Sequence, residues 1–340
     1  MKTQTPHSDP HRPFSLRRRV AVTAITAACA LLLAPVTSAL AQPQAYPSKP
    51  VRIIVPSSPG GSLDVVARII ALKLGEVWKQ SVIVENKPRA NFAIGASYVA
   101  KSPPDGYTLL YAHDGAMAMN PVLYPKLSYD PVTELTAVGR VVDLSLVLYA
   151  GKSVPFKTIG EFVQAVRANP GKYNHASGGT ATMMSSELFK AIANVEYADV
   201  PYKGGGPAVL AVAAGEADFT FADPGSAAAL LQTERIRPLA TASAKRLRTH
   251  PNLPTFAEVV PAYNSASWSG LHAPAGTPPA IVHKINADLK TVLAMPDVRT
   301  RLDELGVEVN YSTAEELNLQ IRADIQKWAK LVKEKNIAVP

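Results

Sequence analysis

Apolar and polar positions alternate along this chain in short blocks that read as strand, turn and helix in succession. Val51, Ile53, Ile54 and Val55 form a β-branched run that predicts a buried strand. It stops at Pro56 and passes through Ser57-Ser58-Pro59-Gly60-Gly61. Val65, Val66, Ile69, Ile70, Leu72, Leu74 and Val77 then fall largely on one side of a helix that Ser62 or Asp64 is placed to cap. A second strand is expected over residues 82–84, a helix over 93–100 and a third strand over 107–112. This spacing predicts a parallel sheet with right-handed crossovers, and binding loops at residues 56–62, 86–92 and 113–117, where the strands end.

Extended segments over residues 135–142 and 146–150 carry the chain towards a second lobe, where the alternation restarts. A helix over 158–168 leads to a strand near 173–175, a Gly-bearing turn at Ser177-Gly178-Gly179-Thr180 and a helix to about residue 193. A strand over 197–200, the turn Pro201-Tyr202-Lys203-Gly204-Gly205-Gly206-Pro207 and another helix follow. Next come a strand over 219–221, the turn Asp223-Pro224-Gly225-Ser226, an Ala/Leu helix and a strand over 237–242. The remainder returns to the first lobe, with a strand over 268–273 and helices over 278–293 and 296–305. A long last helix begins with two overlapping capping boxes in Ser312-Thr313-Ala314-Glu315-Glu316. The division expected is lobe 1 at residues 46–142 and 265–340, and lobe 2 at 143–264.

The strand, Gly-rich turn and helix start at residues 51–64 aim backbone N–H groups and a helix dipole at one point. An anion fits there, either a carboxylate or a phosphate. Composition narrows the partners. The 340-residue chain carries a formal charge of +8, which becomes +4 once residues 1–41 are set aside. Those residues read as an export leader: Arg17-Arg18-Arg19, an apolar stretch over 20–36, and the small-x-small pattern Ala39-Leu40-Ala41. Cleavage after Ala41 and a periplasmic location are expected. The single cysteine, Cys29, lies in the leader, so disulfides, thiol catalysis and Cys-ligated metal are excluded downstream of it. The modest basic excess has no aromatic interleaving and does not point to nucleic acid. No cofactor or metal is expected.

Enzyme motifs are missing. There is no His-Glu-x-x-His and no Gly-x-Ser-x-Gly. Gly151-Lys152-Ser153 lacks the upstream glycine of a phosphate-binding loop, because Leu146 stands there. The pair His113-Asp114, beside Ser57 or Ser58, leaves an exported hydrolase as a minor alternative. Lys203 and Arg89 are the loop cations best placed to meet a ligand.

The segments VIVENKP, PPDGYTLLYA, MNPVLYPKLSYDP, VPYKGGGPA, TASAKR and GLHAPAGTP stand in the same order as in Bug proteins. These are the substrate-binding proteins of tripartite tricarboxylate transporters, and the resemblance runs from about Tyr46 to Ile337. It implies a type II periplasmic-binding-protein fold, with two α/β lobes closing on a small organic carboxylate for delivery to membrane permease subunits. A monomer is implied, and a binding protein rather than an enzyme. A ligand sensor serving a signalling partner is the alternative with the same binding chemistry.

The positions that the resemblance assigns to ligand binding are Ser57, Ser58, Pro59, Gly60, Gly61, Ser62 and Asp64 on one lobe. On the other they are Ser177, Gly178, Thr180, Thr182, Tyr202, Lys203, Gly204 and Asp223, with Pro201 beside them. The family's second loop reads N-R-P-G-A-G-G-N-I-G-A. Here it is Asn86-Lys87-Pro88-Arg89-Ala90-Asn91-Phe92-Ala93-Ile94-Gly95-Ala96, so three glycines have become Arg89, Asn91 and Phe92. His113-Asp114 replaces a smaller pair, and Met183-Met184 stand where polar residues are common. Phe92, Ala93, His113 and Asp114 join the expected site, and a ligand with an apolar or aromatic body and one carboxylate is expected.

Overall fold

The computed structural model describes Met1, residues 46–248 and residues 250–337. The expected leader lies outside the described residues. The chain opens lobe 1 with β1 (Val51–Val55), α1 (Ser62–Trp78), β2 (Val82–Asn86), α2 (Ala93–Ala100) and β3 (Thr108–His113). A π-helical turn (Gly115–Met119) and α3 (Asn120–Leu123) follow, neither of which the apolar pattern foretells. β4 (Leu135–Leu144) then leads out of the lobe.

Lobe 2 contains β5 (Val147–Gly151), α4 (Ile159–Ala168), β6 (Asn174–Ser177), α5 (Thr180–Ala193), β7 (Ala198–Pro201), α6 (Gly205–Ala214), β8 (Phe219–Ala222), α7 (Pro224–Leu231) and β9 (Ile236–Thr241). The return is made by β10 (Ser267–Pro274), α8 (Pro279–Ala294), α9 (Pro296–Glu304), β11 (Glu308–Val309) and α10 (Ala314–Lys335).

Two separate sheets result, in the orders β11-β4-β10-β3-β1-β2 and β7-β6-β8-β5-β9. The β1-β2 and β1-β3 pairs are parallel, as the helical crossovers require, and so are β6-β7 and β6-β8. β10 and β5 run against their neighbours, whereas β4 runs in the same direction as β3. β10 is antiparallel to β3 and β4, and β5 is antiparallel to β8 and β9. The carboxyl ends of β1, β2 and β3, the end of β4 and the start of β10 therefore share one edge of the first sheet. The crossing segments leave from it.

With no cysteine after Cys29, cohesion rests on packing. Val51, Ile53, Val55, Val66, Ile70 and Leu74 form the core on one face of sheet 1 with Leu289 and Val292 of α8. In lobe 2, Phe162, Phe189, Phe219, Phe221, Phe256 and Tyr263 form a continuous aromatic cluster with centroid separations of 4.6–6.5 Å. Each such side chain contributes about 2–3 kcal/mol by burial. The last helix serves both lobes. Leu317 and Ile321 pack on sheet 1, while Trp328 and Leu331, about two to three turns on, enter the aromatic core of lobe 2. Thr313 and Glu316 close one of the two expected capping boxes.

Beneath β6 and β7 lies a buried polar group. His175 Nδ1 donates to Asp199 at 2.5 Å, while its Nε2 accepts the Phe221 N–H at 3.3 Å, which fixes a neutral tautomer. Burial lowers the His175 pKa. Burial alone would raise the Asp199 carboxyl, but His175 and Lys190 outweigh it and bring the group to about 2.

Candidate functional site

The turn after β1 is shaped by Asp64 and Asn86. Asp64 Oδ2 accepts the Gly60 N–H at 2.9 Å and Arg68 Nε at 3.0 Å. Its other oxygen accepts Asn86 Nδ2 at 2.8 Å, and the same amide reaches the Ser57 carbonyl at 3.1 Å. Burial favours the neutral acid, yet these hydrogen bonds win and hold the carboxyl below its ordinary range. Asp64 therefore braces the loop, and neither it nor Ser62 caps α1. The N-cap is Gly61, with no side-chain cap. Ser57 Oγ is buried beside this brace without a hydrogen-bond partner.

The second loop is unusual in its backbone. Arg89, Ala90, Asn91 and Phe92 have φ of 108°, 48°, 46° and 72°, four consecutive L residues in the left-handed region. Each costs roughly 1–2 kcal/mol unless surroundings hold it. The holders are Asn120, whose Nδ2 donates to the Asn91 carbonyl at 2.5 Å, and Tyr124, whose hydroxyl accepts the Asn91 amide. Phe92 becomes the N-cap of α2, with its ring edge-to-face against His113. Gly95 lets the turn after β1 lie on α2, since a Cβ there would fall 2.8 Å from Pro56 Cβ. His113 Nδ1 accepts the Gly115 N–H at 2.9 Å, and Asp114 accepts the same N–H and the Ser267 hydroxyl. Asp114 thus ties β3 to the start of β10, and its carboxylate is already committed.

In lobe 2, α5 and α6 begin at Gly179 (φ 140°) and Gly204 (φ 114°), again with no side-chain cap. Thr182 Oγ1 donates to the Gly179 carbonyl at 2.8 Å and lies 3.3 Å from Ser177 Oγ, so both hydroxyls set the turn. The Tyr202 N–H donates to the Ser177 carbonyl at 2.8 Å. A Cβ on Gly178 would fall 2.9 Å from Gly205 Cα, so these two loops touch backbone to backbone. Asp223 caps α7, accepting the Ser226 N–H at 2.9 Å and its hydroxyl at 2.6 Å. Thr180 is partly buried and Lys203 exposed. Met184 is wholly buried in the lobe core, so it is packing and not ligand surface.

The loops from the two lobes meet. A cavity of about 430 Å³ is lined by Gly60, Gly61 and Ser62 from lobe 1 and by Asp223, Gly225 and Ser226 from lobe 2, with Glu304 and Leu305 at its rim. Of the predicted positions, this gap brings Gly60, Gly61, Ser62 and Asp223 together. The other predicted positions do not line it: Asn86 links Ser57 to Asp64, Phe92 packs on His113, and Gly178 lies against Gly205, which in turn lies against Ser226 at the gap. Sequence reasoning missed Asn86, Asn120 and Tyr124, although all three fall in segments quoted for the resemblance.

Of the open helix starts, that of α1 lines the gap itself. α1, α2, α5 and α6, two from each lobe, present first-turn N–H groups with no side-chain cap. Elsewhere α8 and α9 also start without a side-chain cap, α4 and α10 are capped by Thr158 and Thr313, and α7, whose start lines the gap, is capped by Asp223. Ser57 Oγ has no hydrogen-bonded histidine among the described residues, and His113 Nδ1 accepts the Gly115 N–H. Among the described residues, no three metal-ligating side chains converge and no helix is long and apolar enough to cross a membrane.

Residues 66–337 match the model of the tripartite tricarboxylate transporter family receptor. A UPF0065 protein from the tcbD-tcbE intergenic region of Pseudomonas sp. (strain P51) is 35% identical over 294 residues, covering 85% of this chain and 87% of its own. Protein BugT of Bordetella pertussis is 31% identical, covering 94% and 98%. Among solved structures, R. palustris Rpa4515 with adipate superposes with a TM-score of 0.77 at 34% identity, over 86% of this chain and 99% of that one. MatC from Rhodopseudomonas palustris with bound malate superposes at 0.73 with 31% identity, over 84% and 100%. The family and these neighbours are solute-binding receptors of periplasmic type, not enzymes. With a two-lobed α/β fold of the type II periplasmic-binding-protein class, the chain belongs to the tripartite tricarboxylate transporter receptor family.

Proposed function

We propose that this protein is an exported periplasmic receptor, acting as a monomer, that closes on a small organic carboxylate and delivers it to the permease subunits of a tripartite tricarboxylate transporter. The observation that carries the carboxylate is the uncapped start of α1 at a gap between the lobes, with Ser57 Oγ unpartnered among the described residues in the turn before it, and the uncapped starts of α5 and α6 in the neighbouring loops of lobe 2. Such amides and dipoles favour an anion without a cationic side chain. Because both lobes supply them, a bound carboxylate favours the closed arrangement.

The ligand carries an apolar or aromatic body. Support comes from Phe92, which stands where the family's pattern has glycine and which forms an aromatic wall with His113. Adipate and malate bound by the structural neighbours mark the size class. A thermal-shift screen of the chain lacking residues 1–41 tests this, with aliphatic and aromatic mono- and dicarboxylates, citrate and phosphate as probes. A carboxylate with an apolar body stabilises the protein by about 2.7 kcal/mol at a hundredfold excess over Kd. Stabilisation by citrate or phosphate alone overturns the reading.

A further inference from the structure

A second cavity, of about 460 Å³, lies beside the crossing segments and shares no residue with the gap described above. Lobe 1 contributes Arg140 and Asp143 of β4 and Trp268 of β10, α10 contributes Asp324 and Lys327, and the segments joining the lobes contribute Ser145, Lys245 and Asn264. It is thus walled by the elements that must bend or slide when the lobes move.

Its charges are balanced but held apart. Three cations (Arg140, Lys245, Lys327) face three acids (Asp143, Glu308, Asp324). Lys327 Nζ donates to the Asn264 carbonyl at 2.8 Å, and no carboxylate hydrogen-bonds it. Asp324 accepts Trp268 Nε1 at 2.7 Å and Gln320 Nε2 at 2.9 Å, both neutral donors. Asp143 accepts Asn310 Nδ2 at 2.6 Å, with Arg140 further off at 3.5 Å. Burial accordingly dominates all three: it raises both carboxyls and lowers the lysine. Apart from the Arg140–Asp143 ion pair, the partly desolvated Lys327 and Asp324 are held by neutral partners and not by each other, an arrangement that matches a guest carrying both signs itself.

We propose that this hinge cavity binds a small zwitterion of the amino-acid or betaine class, its carboxylate towards Lys327 and its cationic end towards Asp143, Asp324 and the Trp268 ring. An occupant bridges both lobes and is thereby coupled to closure of the carboxylate cleft, with equal influence in both directions. The site is separate from the carboxylate reading and stands or falls independently of it.

The test uses the ¹⁵N–¹H resonance of the Trp268 indole, assigned with Trp268→Phe, in the chain lacking residues 1–41. Glycine, proline, glutamate and glycine betaine are titrated singly to about 10 mM, the range that reveals millimolar binding. At least one gives a saturable shift of the Trp268 indole and leaves Trp78, whose indole is bound to Asp288, in place. Lys327→Met removes the shift while Lys327→Arg keeps it, each variant being first shown folded by circular dichroism. No shift with any probe, an unchanged shift in Lys327→Met, or the same shift with acetate alone overturns the proposal.

Discussion

Phe92 and His113 meet edge-to-face, with ring centroids 4.3 Å apart and planes at 81°. The pair joins the left-handed second loop to the end of β3, and it sets two effects against each other at one residue. Phe92 is strained, with φ of 72°, but its ring packs. Phe92→Ala loses the ring and keeps the strain, whereas Phe92→Gly loses the ring and relieves it. The glycine variant is therefore more stable than the alanine variant by about 1 kcal/mol in urea unfolding. Both lose affinity for aromatic carboxylates by about fivefold relative to aliphatic ones, the value of one aromatic contact. Equal stability of the two variants refutes the strain; unchanged selectivity refutes the wall.

Asp64 is a brace. Asp64→Ala leaves the Gly60 N–H and the Asn86 amide without their acceptor, which costs about 1–3 kcal/mol of stability. The turn after β1 loosens with it, so ligand affinity falls about tenfold by isothermal titration. Arg68→Ala removes only the outer, half-exposed partner and costs less than about 1 kcal/mol.

His272 gives a pH dependence. It is fully buried in β10, and burial outweighs the neighbouring Leu110 and Gly270 backbone and lowers its pKa from 6.5 to about 4. Between those values the unfolded chain binds a proton that the folded chain does not, so stability is full above pH 6.5 and falls as the pH drops towards 4. The loss attributable to this residue reaches about 3 kcal/mol. His272→Leu, read by urea unfolding at pH 7 and at pH 4.5, has a smaller pH difference than the parent. Parallel pH curves for parent and variant contradict the assignment.

Lys190 closes the buried group under β6 and β7, contacting both Asp199 and Glu187. Lys190→Met removes the cation from two partly buried carboxyls, Asp199 keeping only His175 and Ser186 as partners, and destabilises by about 2 kcal/mol, yet it leaves carboxylate affinity unchanged under conditions where the variant is folded. A loss of affinity in the folded variant places the group within the site.

Much of this was legible in the chain. Apolar runs such as Val51, Ile53, Ile54 and Val55 located most strands to within two residues, because burial on both faces leaves no polar option. The turns at Gly60-Gly61, Gly178-Gly179 and Gly204-Gly205 were visible because the chain there needs close approach or a positive φ. Side-chain direction was not legible. Asp64, Asp114, Thr182 and Asp223 sit in the loops that the pattern pointed to, but their polar atoms turn back onto backbone amides, carbonyls and hydroxyls that only the folded arrangement brings near. The π-helical turn after His113 and the shared role of α10 escaped for a related reason. Their apolar residues satisfy two lobes at once, so no single periodicity shows it.

The central claim is that a carboxylate is held by helix-start amides from both lobes at once. The ¹⁵N–¹H spectrum of the protein, recorded with and without the best-stabilising carboxylate, tests it most directly. The amides of Gly61, Ser62, Thr180 and Gly205 should shift together and saturate at one common Kd. Shifts confined to one lobe, or absent from all four amides while the ligand still binds, would contradict it.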